Sequence, residues 1–288
     1  NQSSTEQRDK NDCRAQAADY LDEVKPKKIS EHCFDDYLAA ASLNSVKKAE
    51  DGSLLIFGHN NILFIQKTLT PSSESASPKI EKHIIAGKHT LLKEITALTL
   101  DSSNQDIVVL DGLHGLALPF SLKFFGNVSP RRTLKNNLLI GATGIAVDPI
   151  HHELIFSNNS KQNIQVFSRL ADIDGHRPSN HTALLRSIEG SLTQITSAQS
   201  IAIDTEHDEI FLLDKDSNQI LIFDRSSVGN TPPKRIIRGN ATLLSSPTSI
   251  NYVQSNDTLE VANGDKTTLI YPRATAGEIV PTTPTNQK

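Results

Sequence analysis

Methionine and tryptophan are absent from this 288-residue chain, and cysteine occurs only twice. Aromatic residues make up 5% of the sequence. Carbohydrate sites lean on aromatic platforms, so a lectin role is disfavoured. No apolar run approaches the roughly 18 residues of a membrane span, so no transmembrane segment is expected. Charge of one sign is also missing: the net charge is −4 and both signs are mixed along the chain. That excludes the basic footprint of a nucleic-acid binder and a polybasic membrane patch. Motifs for common chemistry are lacking as well. There is no GxSxG elbow, no P-loop, no GxGxxG turn and no HExxH.

The first residue, Asn1, is not an initiator methionine. The expectation is a processed or trimmed chain, with a leader or a lipid anchor upstream of residue 1. Residues 1–11 are polar and suit a flexible tether. Cys13 and Cys33 both fall within the next stretch, residues 12–42. A local cysteine pair behind a missing leader favours an oxidising compartment and a Cys13–Cys33 disulfide; two buried thiols are the other reading. Cys13, Ala17, Leu21 and Val24 recur at helical spacing until Pro26. Ser30 is a good N-cap, and Phe34, Tyr37, Leu38 and Ala41 form one face of a second helix. A bridge closing about 20 residues between the two helices is worth roughly 3 kcal/mol, a structural role.

What fills the rest, residues 43–288, is repetition. GIAVDPIHHELIFSNNSKQNIQVFSR (Gly144–Arg169) and SIAIDTEHDEIFLLDKDSNQILIFDR (Ser200–Arg225) share one order. A strand ends in Asp148 or Asp204, a polar turn follows, then a second strand, an Asn/Asp/Ser-rich turn and a third strand. A longer loop leads to a fourth segment, GNTPPKRIIRG at Gly229–Gly239 and GNVSPRRTL at Gly126–Leu134. Weaker copies run from Leu43, Ile95 and Ser249. Second strands beginning near Leu54, Asp106, Glu153, Glu209 and Thr258 recur at about the spacing of propeller blades. The expected fold is therefore all-β, a β-propeller of about five four-stranded blades after a short helical segment. Small apolar first strands such as Ile145-Ala146-Val147 suit the innermost position. Ile220 and Ile222 are expected to face one neighbouring blade, Leu221 and Phe223 the other. Pro281 and Pro284 should impair the last fourth strand. Closure by a strand near Lys25–Ile29, or a sixth degenerate blade in the first 42 residues, are the alternatives.

These units resemble the NHL-type family of β-propeller repeats. The GIAVD and SIAID strands, the IFDR and YPR endings and the Gly-Asn-x-x-Pro-x-Arg segments carry the likeness from about Leu43 onward. The resemblance implies a scaffold that serves as a binding platform and, in some members, as a lyase with zinc-binding histidines; some other propeller enzymes are lactonases.

A propeller presents ligands with the turns between second and third strands. Here those turns begin at His59, Asp111, Asn158, Asp214 and Asn263, followed by Asn60, His114, Asn159, Asp216 and Asp265. Such a ring at the channel mouth can hydrogen-bond a polar ligand or hold a hard cation, structural calcium or zinc. The alternative is that Asp and Asn at hairpins satisfy their own backbone. Asp148 and Asp204 are expected to cap the turns after them, and His151, His152 and His207 to lie exposed in those turns. His59 and His114 stand on adjacent blades, but a third metal ligand is missing from the pattern, so the catalytic constellation is incomplete. The leading expectation is an exported, non-enzymatic, monomeric propeller, periplasmic, envelope-attached or secreted, that binds a protein or peptide through its loop-rich face. A metal-dependent hydrolase or lyase at the channel mouth is the alternative.

Overall fold

The computed structural model describes residues 31–40, 46–48, 53–69, 78–169 and 184–283. The tether, Cys13, the helix expected over Asn11–Val24 and the Lys25–Ile29 stretch lie outside the described residues. Among the described residues the helix α1 (Glu31–Ala40) precedes the strands. Five antiparallel sheets follow, each wound up and down in chain order. Blade 1 holds β1 (Val46–Lys48), β2 (Leu54–His59), β3 (Ile62–Leu69) and β4 (Lys79–Ile85). Blade 2 holds β5 (Ala97–Asp101), β6 (Asp106–Asp111), β7 (Leu116–Ser121) and β8 (Leu134–Lys135). Blade 3 holds β9 (Ala142–Asp148), β10 (Glu153–Asn158), β11 (Asn163–Ser168) and β12 (Leu184–Ile188). Blade 4 holds β13 (Ala198–Asp204), β14 (Glu209–Asp214), β15 (Gln219–Asp224) and β16 (Arg235–Ile237). Blade 5 holds β17 (Ser249–Val253), β18 (Thr258–Ala262) and β19 (Thr268–Pro272). The chain is thus an all-β β-propeller of five blades. Its second strands start at the five residues expected from the repeat.

The first hairpin of blades 2 to 5 shows why the repeat folds the same way each time. Gln105, His152, Asp208 and Asp257 occupy the left-handed region, with φ of 52° to 56°. Each carbonyl at that position accepts the amide just beyond the third strand: Leu122, Arg169, Arg225 and Arg273. Asp148 Oδ1 accepts the amides of Ile150 and His151, and Asp204 Oδ1 those of Glu206 and His207. These aspartates cap their turns, as expected of the residue type.

Among the described residues the fourth strand of the last blade is one bridge, in which Thr282 exchanges both backbone bonds with Ile270. Pro281 before it has no amide to donate, and Pro284 lies outside the described residues.

The chain divides into two compact units, residues 1–111 with 118–133 and residues 112–117 with 134–288. In the first, α1 lays Phe34 and Tyr37 on blade 1. Phe34 meets Phe57 edge-on at 4.8 Å, and Tyr37 stacks on Phe64 at 5.0 Å. The helical face read from the sequence is the packed face, and Cys33 and Phe34 are buried on it. In the second unit the strands alternate as read. Leu221 and Phe223 join Ile155, Val166 and Ile188 of blade 3. Ile220 and Ile222 join Leu259, Val261 and Tyr271 of blade 5. Each such side chain contributes roughly 1.5–3 kcal/mol when fully buried. First strands lie close together: a Cβ on Gly144 would come within 3.1 Å of the Ser200 and Ile201 backbone.

Candidate binding face

The turns that begin at the ends of second strands carry the residues proposed for a ligand ring. Asp111, Asn158, Asp214 and Asn263 are buried. Each is tied to the loop leading into the first strand of its own blade. Asp111 Oδ2 accepts Glu94 N at 3.3 Å. Asn158 Nδ2 donates to the Leu138 and Ile140 carbonyls. Asp214 takes the amides of Thr196 and Ser197, the Thr196 hydroxyl and the Ser217 amide. Asn263 accepts Ser245 N and donates to the Leu243 carbonyl. Their polar atoms hold loops, and this supports the turn-making reading. His59 lies beside Tyr37, ring centroids 5.3 Å apart. Asn60 adopts φ 52° and its carbonyl accepts Ile95 N. Asn159 donates its amide to Gly141. Asp265 accepts the amide and hydroxyl of Thr267, bonds that hold its carboxyl below the usual range. His114, Asn159, Asp216 and Asp265 are exposed.

The loops held by those residues share a build that sequence reading missed. In Gly87-Lys-His-Thr90, Gly190-Ser-Leu-Thr193 and Gly239-Asn-Ala-Thr242 the glycine sits at φ 117° to 118°. The threonine hydroxyl donates back to the glycine carbonyl at 2.6–2.7 Å. The following residue, Leu91, Gln194 or Leu243, is left-handed, with φ of 59° to 61°. The Gly-x-x-Thr spacing was the available signal. A leucine in this conformation costs about 1–2 kcal/mol. Yet Leu91 and Leu243 are also exposed, as are Ile140 and Leu192 on other loops into first strands, and Leu113 in the β6–β7 turn. Tyr271 OH donates to the Thr242 carbonyl and fixes the loop that carries Leu243.

Outside each turn, a clip joins successive blades. Asn127 of the Gly126-Asn127 pair accepts His89 N, and Asn230 of Gly229-Asn230 accepts Leu192 N. Glu278, after Gly277, accepts Ala241 N. The glycines bridge Ile85, Ile188 and Ile237 at the ends of fourth strands. The Gly-Asn segments are therefore connectors.

At the opposite end of the sheets lies an ionic latch. Arg186 binds Glu153 in bidentate fashion at 2.5 and 2.7 Å, and Arg225 of blade 4 reaches the same carboxylate at 3.3 Å. Arg235 binds Glu209 at 2.5 and 2.8 Å, and Arg273 of blade 5 reaches it at 3.1 Å. Burial raises the Glu209 pKa, but Arg235, Lys234 and Arg273 outweigh it and hold the carboxyl at about 2. Asp204, His207 and Asp257 could bring three ligand atoms within 4.8 Å of one another. Arg273 already stands among them, 3.3 Å from Asp204 and 2.6 Å from Asp257. A cation is present there as a guanidinium, and calcium or zinc would have to displace it.

Among the described residues no helix is long and apolar enough to cross a membrane. No protein-family model matches the chain, and no curated protein matches it.

Proposed function

We propose that this propeller is a non-enzymatic platform, and that the loops leading into its first strands dock a protein or peptide. The observation that carries this reading is the repeated presentation of exposed aliphatic side chains on braced loops, two of them held in left-handed backbone. Scattered exposed leucines need no explanation. Leucines fixed at a conformational cost, at equivalent turns, point to use. Rigid loops lose little freedom on binding, which favours affinity.

Export to an oxidising compartment, the Cys13–Cys33 bridge, a monomeric state and kinship with NHL-type repeats belong to the same proposal. The cysteine pair and the quoted repeats support them. Cys33 is fully buried on α1, while Cys13 lies outside the described residues. Intact mass with and without reductant tests the bridge.

The binding claim is tested by immobilising the wild type and a Leu192→Asp/Leu243→Asp variant and comparing what each retains from its native compartment. Ile150→Asp, exposed at the far end of blade 3, is the control. The expected result is a partner kept by the wild type and the control and lost by the double variant. Equal retention by all three contradicts the reading.

A further inference from the structure

The latch of the blade 3–4 and 4–5 seams is replaced between blades 1 and 2, where a cavity stands. Glu153 and Glu209 open the second strands of blades 3 and 4; Leu54 opens that of blade 1. Arg225 and Arg273 follow the third strands of blades 4 and 5; Leu122 follows that of blade 2. The backbone equivalence is strict. Leu122 N bonds the left-handed Gln105 carbonyl just as Arg225 N bonds that of Asp208 and Arg273 N that of Asp257. Two long, mutually paired charged side chains are thus replaced by two leucines that neither pair nor reach as far. Leu54 and Leu122 both line a cavity of about 380 Å³ within the first unit. Ligand pockets span roughly 300–1,000 Å³.

The lining is two-sided. Leu54, Leu69, Leu100 and Leu122 provide aliphatic walls, and Lys67 and Lys123 provide ammonium groups. Lys67 Nζ donates to the Leu122 carbonyl at 2.6 Å and lies 4.9 Å from the Phe125 ring centroid. An ammonium has three protons to donate, so two remain. Two aspartates also line the cavity, and both are engaged by the protein. Asp101 accepts Ser103 Oγ, Asn104 N and Asn104 Nδ2. Asp106 is 3.0 Å from Arg131 Nε. Lys67 keeps donor capacity for an anionic head.

We propose that the cavity between blades 1 and 2 binds a small amphipathic anion, an aliphatic carboxylate whose tail lies among the four leucines and whose head meets Lys67 and Lys123. The site is independent of the loop face at the other end of the blades, so either can fail without the other.

The test is calorimetric titration of the full chain with octanoate, octan-1-ol and octylammonium, with leucine-methyl NMR to locate the site. Octanoate should saturate one site per chain and shift Leu54, Leu69, Leu100 and Leu122. Octan-1-ol, and octanoate on Lys67→Met, should bind about tenfold more weakly, the loss of one charge-assisted contact. Leu54→Glu/Leu122→Arg rebuilds the latch seen at the blade 3–4 and 4–5 seams and should abolish binding while the protein stays folded. If that variant misfolds, Leu100→Phe, which fills the cavity with one ring, should weaken octanoate instead. No saturable binding of octanoate to the wild type, equal binding of octylammonium, or shifts at other leucines would overturn the proposal.

Discussion

At the scale of the residue, the charges paired across the blade seams are structural. Glu209 is buried and meets three cations. Glu209→Gln should cost about 3 kcal/mol at neutral pH, as for other buried pairs broken on one side. Its carboxyl titrates at about 2 in the folded chain against 4.5 ordinarily. The unfolded chain binds the proton first, so this contribution is complete above pH 4.5 and falls away as the pH drops through about 2. Urea titrations should find the gap between wild type and Glu209→Gln shrinking over that window; a gap constant with pH would contradict it. The pair was not legible in the sequence. Glu209 and Arg273 stand 64 positions apart, and each alone reads as an ordinary strand-end charge. Gly112 is a second such case: a Cβ there would lie 1.9 Å from the Ala142 carbonyl oxygen. Gly112→Ala should destabilise by about 2 kcal/mol or more, read from the thermal midpoint.

At the scale of the element, two devices hold blades together by their loops. Asn230 Oδ1 accepts Leu192 N at 2.7 Å, an arrangement akin to a helix cap. Asn230→Ala should cost about 1 kcal/mol and speed amide exchange over residues 190–194 while β14 stays protected. Uniform exchange across both would show that the clip does not act locally. His83 on β4 stacks on Phe125 beyond β7, centroids 3.8 Å apart. Burial and Lys67 push its pKa down, against the pull of Glu81. A depressed histidine favours the fold while neutral, so its contribution is present above pH 6.5 and is lost as the pH falls below that. The opening free energy of β4 amides, read from exchange corrected for the base-catalysed intrinsic rate, should fall from pH 7 to 5, and Phe125→Ala should flatten that response. Strand order, turn aspartates and the short last strand were legible, because each rests on local rules of period and proline chemistry. Two clips were visible only as Gly-Asn pairs and the third, Gly277-Glu278, not at all, since their partners lie 37 or 38 positions away.

At the scale of the molecule, repetition made the fold legible and obscured the site. A residue that recurs in every blade is needed by every blade, and Asp111, Asn158, Asp214 and Asn263 proved to be loop anchors. Departures from the repeat mark what is particular to one place: Leu54 and Leu122 stand where the blade 3–4 and 4–5 seams carry a latch. Those departures are single substitutions within weakly matched copies, and a lone sequence does not distinguish them from drift. Partner binding through the braced loops is the central claim, and site-specific photo-crosslinking tests it most directly. A benzophenone residue would replace Leu192, Leu243 or, at the far end, Ile150, and adducts would be formed in the native compartment. Docking through the loops requires one discrete protein adduct from positions 192 and 243 and none from 150. Adducts from all three alike, or from 150 alone, would contradict it.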